Sequence, residues 1–76
     1  MKIPVRNHIP GKLMLVIEPL CAEYEIPEGG AAEVTLADGC SHSIDIYEQQ
    51  ITIWNEGIED ALVEIRAEHF SSRLTS

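Results

Sequence analysis

The chain has 76 residues, 45% of them hydrophobic, and a formal net charge of −8. A single domain of this size buries only about 60% of its unfolded surface, so association with further copies is a natural way to add buried area. An acidic chain repels phosphate, which argues against nucleic acid, and no apolar run approaches the about 20 residues a membrane-spanning helix needs.

The charge is unevenly placed. All thirteen acidic residues lie between positions 18 and 68, where Arg66 is the only base, whereas the first 17 residues carry Lys2, Arg6 and Lys12. The pattern fits a solvated acidic surface, an acidic face shaped for a basic partner, or a basic N-terminal arm lying on an acidic body.

Residues 1–11 read as that arm. Ile3 and Val5 suit a short edge strand, because Pro4 lacks the amide donor a central strand would need. The run Leu13 to Ile17 is too short for a signal-peptide core, and no small-residue cleavage site follows it. The chain is therefore expected to be cytoplasmic, with Cys21 and Cys40 as reduced thiols. Leu13 to Ile17 is apolar without a gap, as in a strand covered on both faces. The second cover is expected from the arm or from another subunit.

From Cys21 to Ile26, Ala22, Tyr24 and Ile26 alternate with Glu23 and Glu25, and Pro27-Glu28-Gly29-Gly30 supplies a turn. Residues 31–54 form the organising stretch and read as three strands folding back on one another. Ala32, Val34 and Leu36 share one face of the first strand, Ile44 and Ile46 of the second, and Ile51 and Ile53 of the third, as a period of two requires. Asp38-Gly39 predicts a tight hairpin, Tyr47-Glu48-Gln49 a weaker break, and Asn55-Glu56-Gly57 a loop with its glycine in the left-handed region.

The segment Asp60 to Ala67 is ambiguous. Ala61, Val63, Ile65 and Ala67 alternate as in a strand, while Ile58, Leu62, Ile65 and His69 match helical spacing, with Asn55 placed to cap such a helix. The β pattern upstream favours a strand. Residues 70–76 read as a disordered polar tail. The expectation is an all-β fold, a small antiparallel β-sandwich or truncated roll of about six strands, with a single domain over 12–69.

Candidate chemistry is sparse. Ser41, His42, Ser43 and Asp45 gather the residue types of a hydrolytic triad, but on a strand His42 points away from the other three. Cys40 and His42 fall on one face, short of the three or four ligands zinc takes. Glu23, Glu25 and Glu33 read as outward carboxylates suited to a solvated face or a weak calcium site. No catalytic residue, metal centre or cofactor is expected. The interface or ligand candidates are Tyr47 and Trp54, large aromatics placed opposite the inward isoleucines, with apolar area added by Met14 and Val16, or by Leu13 and Ile17, since the first full strand cannot hide both faces in one thin sheet.

The run Tyr24-Glu25-Ile26-Pro27-Glu28-Gly29-Gly30, the strands after it, and Ile53-Trp54-Asn55-Glu56-Gly57 leading into a closing segment resemble the rhythm of cupin-type small jelly rolls over roughly residues 12–67. The resemblance implies a rolled β-sandwich. It departs from the metal-binding members, which carry a His-x-His pair, a glutamate and a third histidine. Here the histidines are His8, His42 and His69, so the usual metal centre, and the activity that goes with it, is not implied. Three functions follow as expectations: a non-catalytic interaction module that self-associates, an acidic inhibitor or immunity-type protein that blocks a basic enzyme, and a cupin-like enzyme with an atypical site around Cys40 and His42.

Overall fold

The computed structural model describes residues 1–57 and 59–66. They form seven strands: β1 (Lys2–Arg6), β2 (Leu13–Glu18), β3 (Ala22–Ile26), β4 (Ala31–Thr35), β5 (His42–Ile46), β6 (Gln50–Asn55) and β7 (Leu62–Arg66). The strands make two sheets, one of three strands in the order β1-β4-β7 and one of four in the order β3-β2-β6-β5. The all-β sandwich expected from the alternation is present. The count of about six rises to seven because Ile3 and Val5 lie on β1, an edge strand as Pro4 requires.

One expected feature is corrected by the pairing. The architecture is not wholly antiparallel, because β2 and β6 run side by side in parallel, Leu15 aligning with Ile51 and Ile17 with Ile53. A parallel neighbour needs a long crossover, and the chain provides one by leaving the four-stranded sheet after β3, building β4, and returning through β5.

The core lies between the sheets. Leu13, Leu15, Ile17, Ile26 and Ile53 from the wider sheet meet Val5, Ala32, Val34 and Leu36 from the narrower side. Tyr24, Ile51, Val63 and Ile65 pack against this cluster half-buried. The segment 62–66 is therefore a strand and not a helix, with Val63 and Ile65 inward and Leu62 outward. Ile58, Ala67, His69 and the polar tail 70–76 lie outside the described residues.

Two connections explain why the sheets stay in register. Asn7, just past β1, is buried, and its Nδ2 donates to the carbonyls of Gly11 (2.9 Å), Ile26 (2.9 Å) and Pro27 (3.1 Å) while its Oδ1 accepts from the Ile9 amide (2.9 Å). One side chain thus ties the β1–β2 loop to the β3–β4 turn. In that turn Gly30 admits no side chain, since a Cβ there would lie 2.7 Å from the Arg66 carbonyl oxygen.

β2 is covered on both faces, as its gapless pattern predicts: Val5 of the N-terminal segment joins the cluster on its inner face, and the outer face is largely hidden within the chain itself. Val16 on the outer face is only 7% exposed. Its cross-strand neighbours are Glu23 on β3 and Thr52 on β6, and Met14 and Glu18 flank it along β2. A strand with a partner on each side can be hidden by the side chains of those partners, with no further layer.

Candidate interaction surface

The hairpin β5–β6 holds the exposed apolar surface. Seven large hydrophobic residues are exposed among those described, and four of them sit here: Ile44 (44%), Ile46 (79%), Tyr47 (58%) and Trp54 (40%). Alternation places Ile44 and Ile46 on the inner face, opposite Ile53 and Ile51 respectively. The sequence reading has them lining the core, and the structure corrects this. The narrower sheet is three strands wide and the wider sheet four. β7 lies over β3, so among the described residues the strand left without a cover is the far one, β5.

The backbone of β5 is equally open on one side. The Tyr47 amide donates to the Gln50 carbonyl (2.7 Å) and the Glu56 amide to the Ser41 carbonyl (3.1 Å). Hydrogen-bonded pairs recur at every second residue of an antiparallel ladder, so Ser41, Ser43, Asp45 and Tyr47 face β6. The amides and carbonyls of His42, Ile44 and Ile46 therefore point to the free edge.

The outer face of the same hairpin carries the contact residues expected from sequence, and the structure separates them. Met14, Val16 and Trp54 share the outer face of the four-stranded sheet, with Met14 half-buried and Val16 buried. Trp54 stays partly open and its indole Nε1 donates to Asp45 Oδ2 at 3.0 Å, so the ring is fixed by a charge-assisted bond. Tyr47 follows β5 directly, opposite Gln50. Ile44 and Ile46 were missed as surface candidates because parity assigns a face and says nothing about whether that face is roofed.

The remaining candidate clusters are not assembled. Asp45 bonds Trp54, and His42 projects from the other face of β5 than Ser43 and Asp45, so no triad forms. Glu23 and Glu25 lie on the outer face of the four-stranded sheet and Glu33 on that of the three-stranded sheet, on opposite sides of the sandwich. Among the described residues no three His, Cys, Asp or Glu side chains are placed to share a metal ion. A cleft of 270 Å³ opens between Pro19, Leu20, Tyr24 and Asp60 at one end, and a shallow, open depression of 470 Å³ lies beside Asp38, Cys40, Ser41 and Glu59; the second has the volume of a small-molecule site, about 300–1,000 Å³, without the enclosure such sites need.

Cys40, half-buried, anchors the end of the hairpin. Its Sγ lies 3.2 Å from Asn55 Oδ1, which also accepts from the Gly57 amide (3.1 Å), while Asn55 Nδ2 donates to the Glu59 carbonyl (2.9 Å). Asn55 is thus a loop anchor rather than a helix cap. Gly57 is not in the left-handed region expected for it; a Cβ there would lie 2.6 Å from Cys40 Sγ, so a side chain at this position would force the thiol to move.

Electrostatics follow the uneven charge. Bases of the N-terminal segment meet acids of the body at Lys2–Glu33 (3.9 Å) and Lys12–Glu25 (3.5 Å), exposed pairs that contribute little each. The Met1 ammonium lies 2.7 Å from Asp38 Oδ1 and, by that bond and its charge, holds the carboxyl below its usual range. At the β2–β3 turn the Glu18 carboxylate, through a hydrogen bond and its charge, pushes the exposed Cys21 thiol up. No helix of the described residues is long and apolar enough to cross a membrane.

No protein-family model, curated protein or solved structure matches this chain.

Proposed function

We propose that the protein is a small non-catalytic interaction module that self-associates through the β5 margin of its wider sheet. The observation that carries this reading is the concentration of exposed large hydrophobics on one hairpin, where Ile44 and Ile46 continue the core face beyond its roof. Fully burying an isoleucine side chain is worth roughly 1.5–3 kcal/mol, and association must offset lost rotational and translational freedom. Two isoleucines and a strand edge therefore support weak, concentration-dependent association.

Sedimentation equilibrium tests it. The average mass is expected to rise with concentration, and Ile46→Lys to hold the chain at the monomer mass without changing its melting temperature by more than a few degrees. A wild-type chain that stays monomeric at about 100 µM, well above tens of micromolar where weak pairs begin to form, would remove the proposal. Because each copy carries −8, salt should tighten self-association by screening repulsion.

A second reading rests on Glu18, Glu23 and Glu25, which run along one outer margin of the sandwich. They suit an acidic inhibitor or immunity-type protein docking on a basic enzyme. Salt separates the two, since binding to a basic partner weakens as ionic strength rises. The resemblance to cupin-type rolls adds an atypical catalyst as a third; metal at or near one equivalent in purified protein would revive it. The free thiols Cys21 and Cys40 suit a reducing compartment such as the cytoplasm.

A further inference from the structure

We infer that the occupant of the β5 edge is β5 of a second copy, paired antiparallel about a two-fold axis at Ile44, so that two wider sheets join into one continuous eight-stranded sheet. This rests on the self-association reading and adds the partner strand, the axis and the register.

Three observations select this arrangement. The first is edge chemistry. β1 is also an edge strand, and in its ladder with β4 the Leu36 amide bonds the Met1 carbonyl and the Asn7 amide the Gly30 carbonyl. Alternation from those pairs turns Lys2, Pro4 and Arg6 toward the β1 free edge, where Pro4 offers no amide and the two bases flank it. That edge is blunted in the way natural sheets avoid pairing. β3 carries Glu23 and Glu25, which would oppose each other across any pairing of two copies about Tyr24. β7 keeps Val63 and Ile65 half-buried. β5 has no proline, no lysine and, among the described residues, no cover.

The second observation is backbone parity. The groups of His42, Ile44 and Ile46 face the free edge, so a second β5 can pair only in registers that oppose these residues to one another. Centring on Ile44 satisfies this, with Ile44 opposite its own copy and His42 opposite Ile46 of the other chain. Centring on Asp45 or Ser43 satisfies it too.

The third is charge. Centring on Asp45 sets the two aspartates directly opposite, which is destabilising in a sheet. Centring on Ser43 drops Ile46 opposite Cys40, past the start of the strand. Centring on Ile44 sets Asp45 opposite Ser43 and uses all of His42–Ile46. On the inner face the isoleucines of the two copies then form one apolar strip between the two three-stranded sheets. Adjacent strands stand about 4.8 Å apart, so the strip is narrow and continuous.

Disulfide trapping tests register and reading separately. In a Cys21→Ser, Cys40→Ser background, chains carrying Ile44→Cys should cross-link to dimers under mild oxidation. A mixture of Ser43→Cys and Asp45→Cys chains should give the mixed dimer. Both should form roughly tenfold faster than the Asp45→Cys homodimer, whose Cα atoms would stand beyond the about 7 Å a disulfide spans. Fastest cross-linking of Asp45→Cys with itself would overturn the register. A concentration-dependent dimer that none of these cysteines traps would overturn the β5 pairing while leaving self-association standing. Absence of both dimer and cross-link would overturn both. Melting curves of each single-cysteine chain confirm that it is folded, which the exposure of Ser43, Ile44 and Asp45 favours.

Discussion

Ile53 and Ile44 stand side by side across β5 and β6, on the same face of the same sheet. One is fully buried and the other is 44% exposed. Ile51 and Ile46 repeat the contrast less sharply, half-buried against 79% exposed. Chemistry and parity are alike in each pair, but β6 has a strand on either side and β5 is an edge. The difference comes from that edge position together with the opposite layer, which ends one strand short. An alternating pattern is a statement about faces, and the fate of a face depends on how many strands the other sheet has.

The sharpest way to break this contrast is truncation. Ile53→Ala should cost about 3 kcal/mol, within the range for large-to-small changes in a packed core, and Ile44→Ala under about 1 kcal/mol. Urea unfolding of the two variants at low protein concentration reads both values. Equal losses would mean that β5 is roofed after all.

Next comes a polar change on the covered side. Asn7→Ala removes one donor each from the Gly11, Ile26 and Pro27 carbonyls, of which Pro27 keeps the Gly30 amide, and deprives the Ile9 amide of its acceptor. A buried group stripped of its partner costs about 1–3 kcal/mol, and the loss should appear as a lower denaturant midpoint with an unchanged slope. A comparable polar residue on the open margin, Ser43, should tolerate alanine with little change.

The smallest effect is confined to the exposed β2–β3 turn and concerns reactivity alone. The Glu18 carboxylate raises the Cys21 pKa, so less of the thiol is ionised at a given pH near or below that pKa, and alkylation is slowed. Glu18→Gln should speed alkylation of Cys21 at pH 8 severalfold and leave the melting temperature unmoved; mass spectrometry of the labelled chain reads the rate. No change in rate would mean that the carboxylate does not act on the sulfur.

Much of the fold was legible as local pattern. The strands at Leu13 to Ile17, Ala22 to Ile26 and the three of residues 31–54 all occur, because period-two burial is written residue by residue. Sheet membership was not. Asp38-Gly39, the strongest turn signal in the chain, joins β4 in one sheet to β5 in the other, with Gly39 at φ 76° as such a reversal needs. The weaker break at Tyr47-Glu48-Gln49 is the true hairpin. Turn residues report a change of direction and carry no record of which strand the chain pairs with next. Of the surface candidates, Trp54 and Tyr47 were legible by parity, Met14 and Val16 were claimed by neighbours on both sides, and Ile44 and Ile46 required knowledge of the other sheet.

The parallel alignment of β2 with β6 has a kinetic consequence. The hairpins β2–β3 and β5–β6 can each zip from nearby residues, but Met14 meets Gln50 only after a long loop has closed. Chains dominated by such distant partnerships cross their barrier in milliseconds to seconds rather than microseconds. During that wait two half-built ribbons with bare aliphatic sides coexist in solution, and crowded refolding should lose yield to clumping in proportion to concentration.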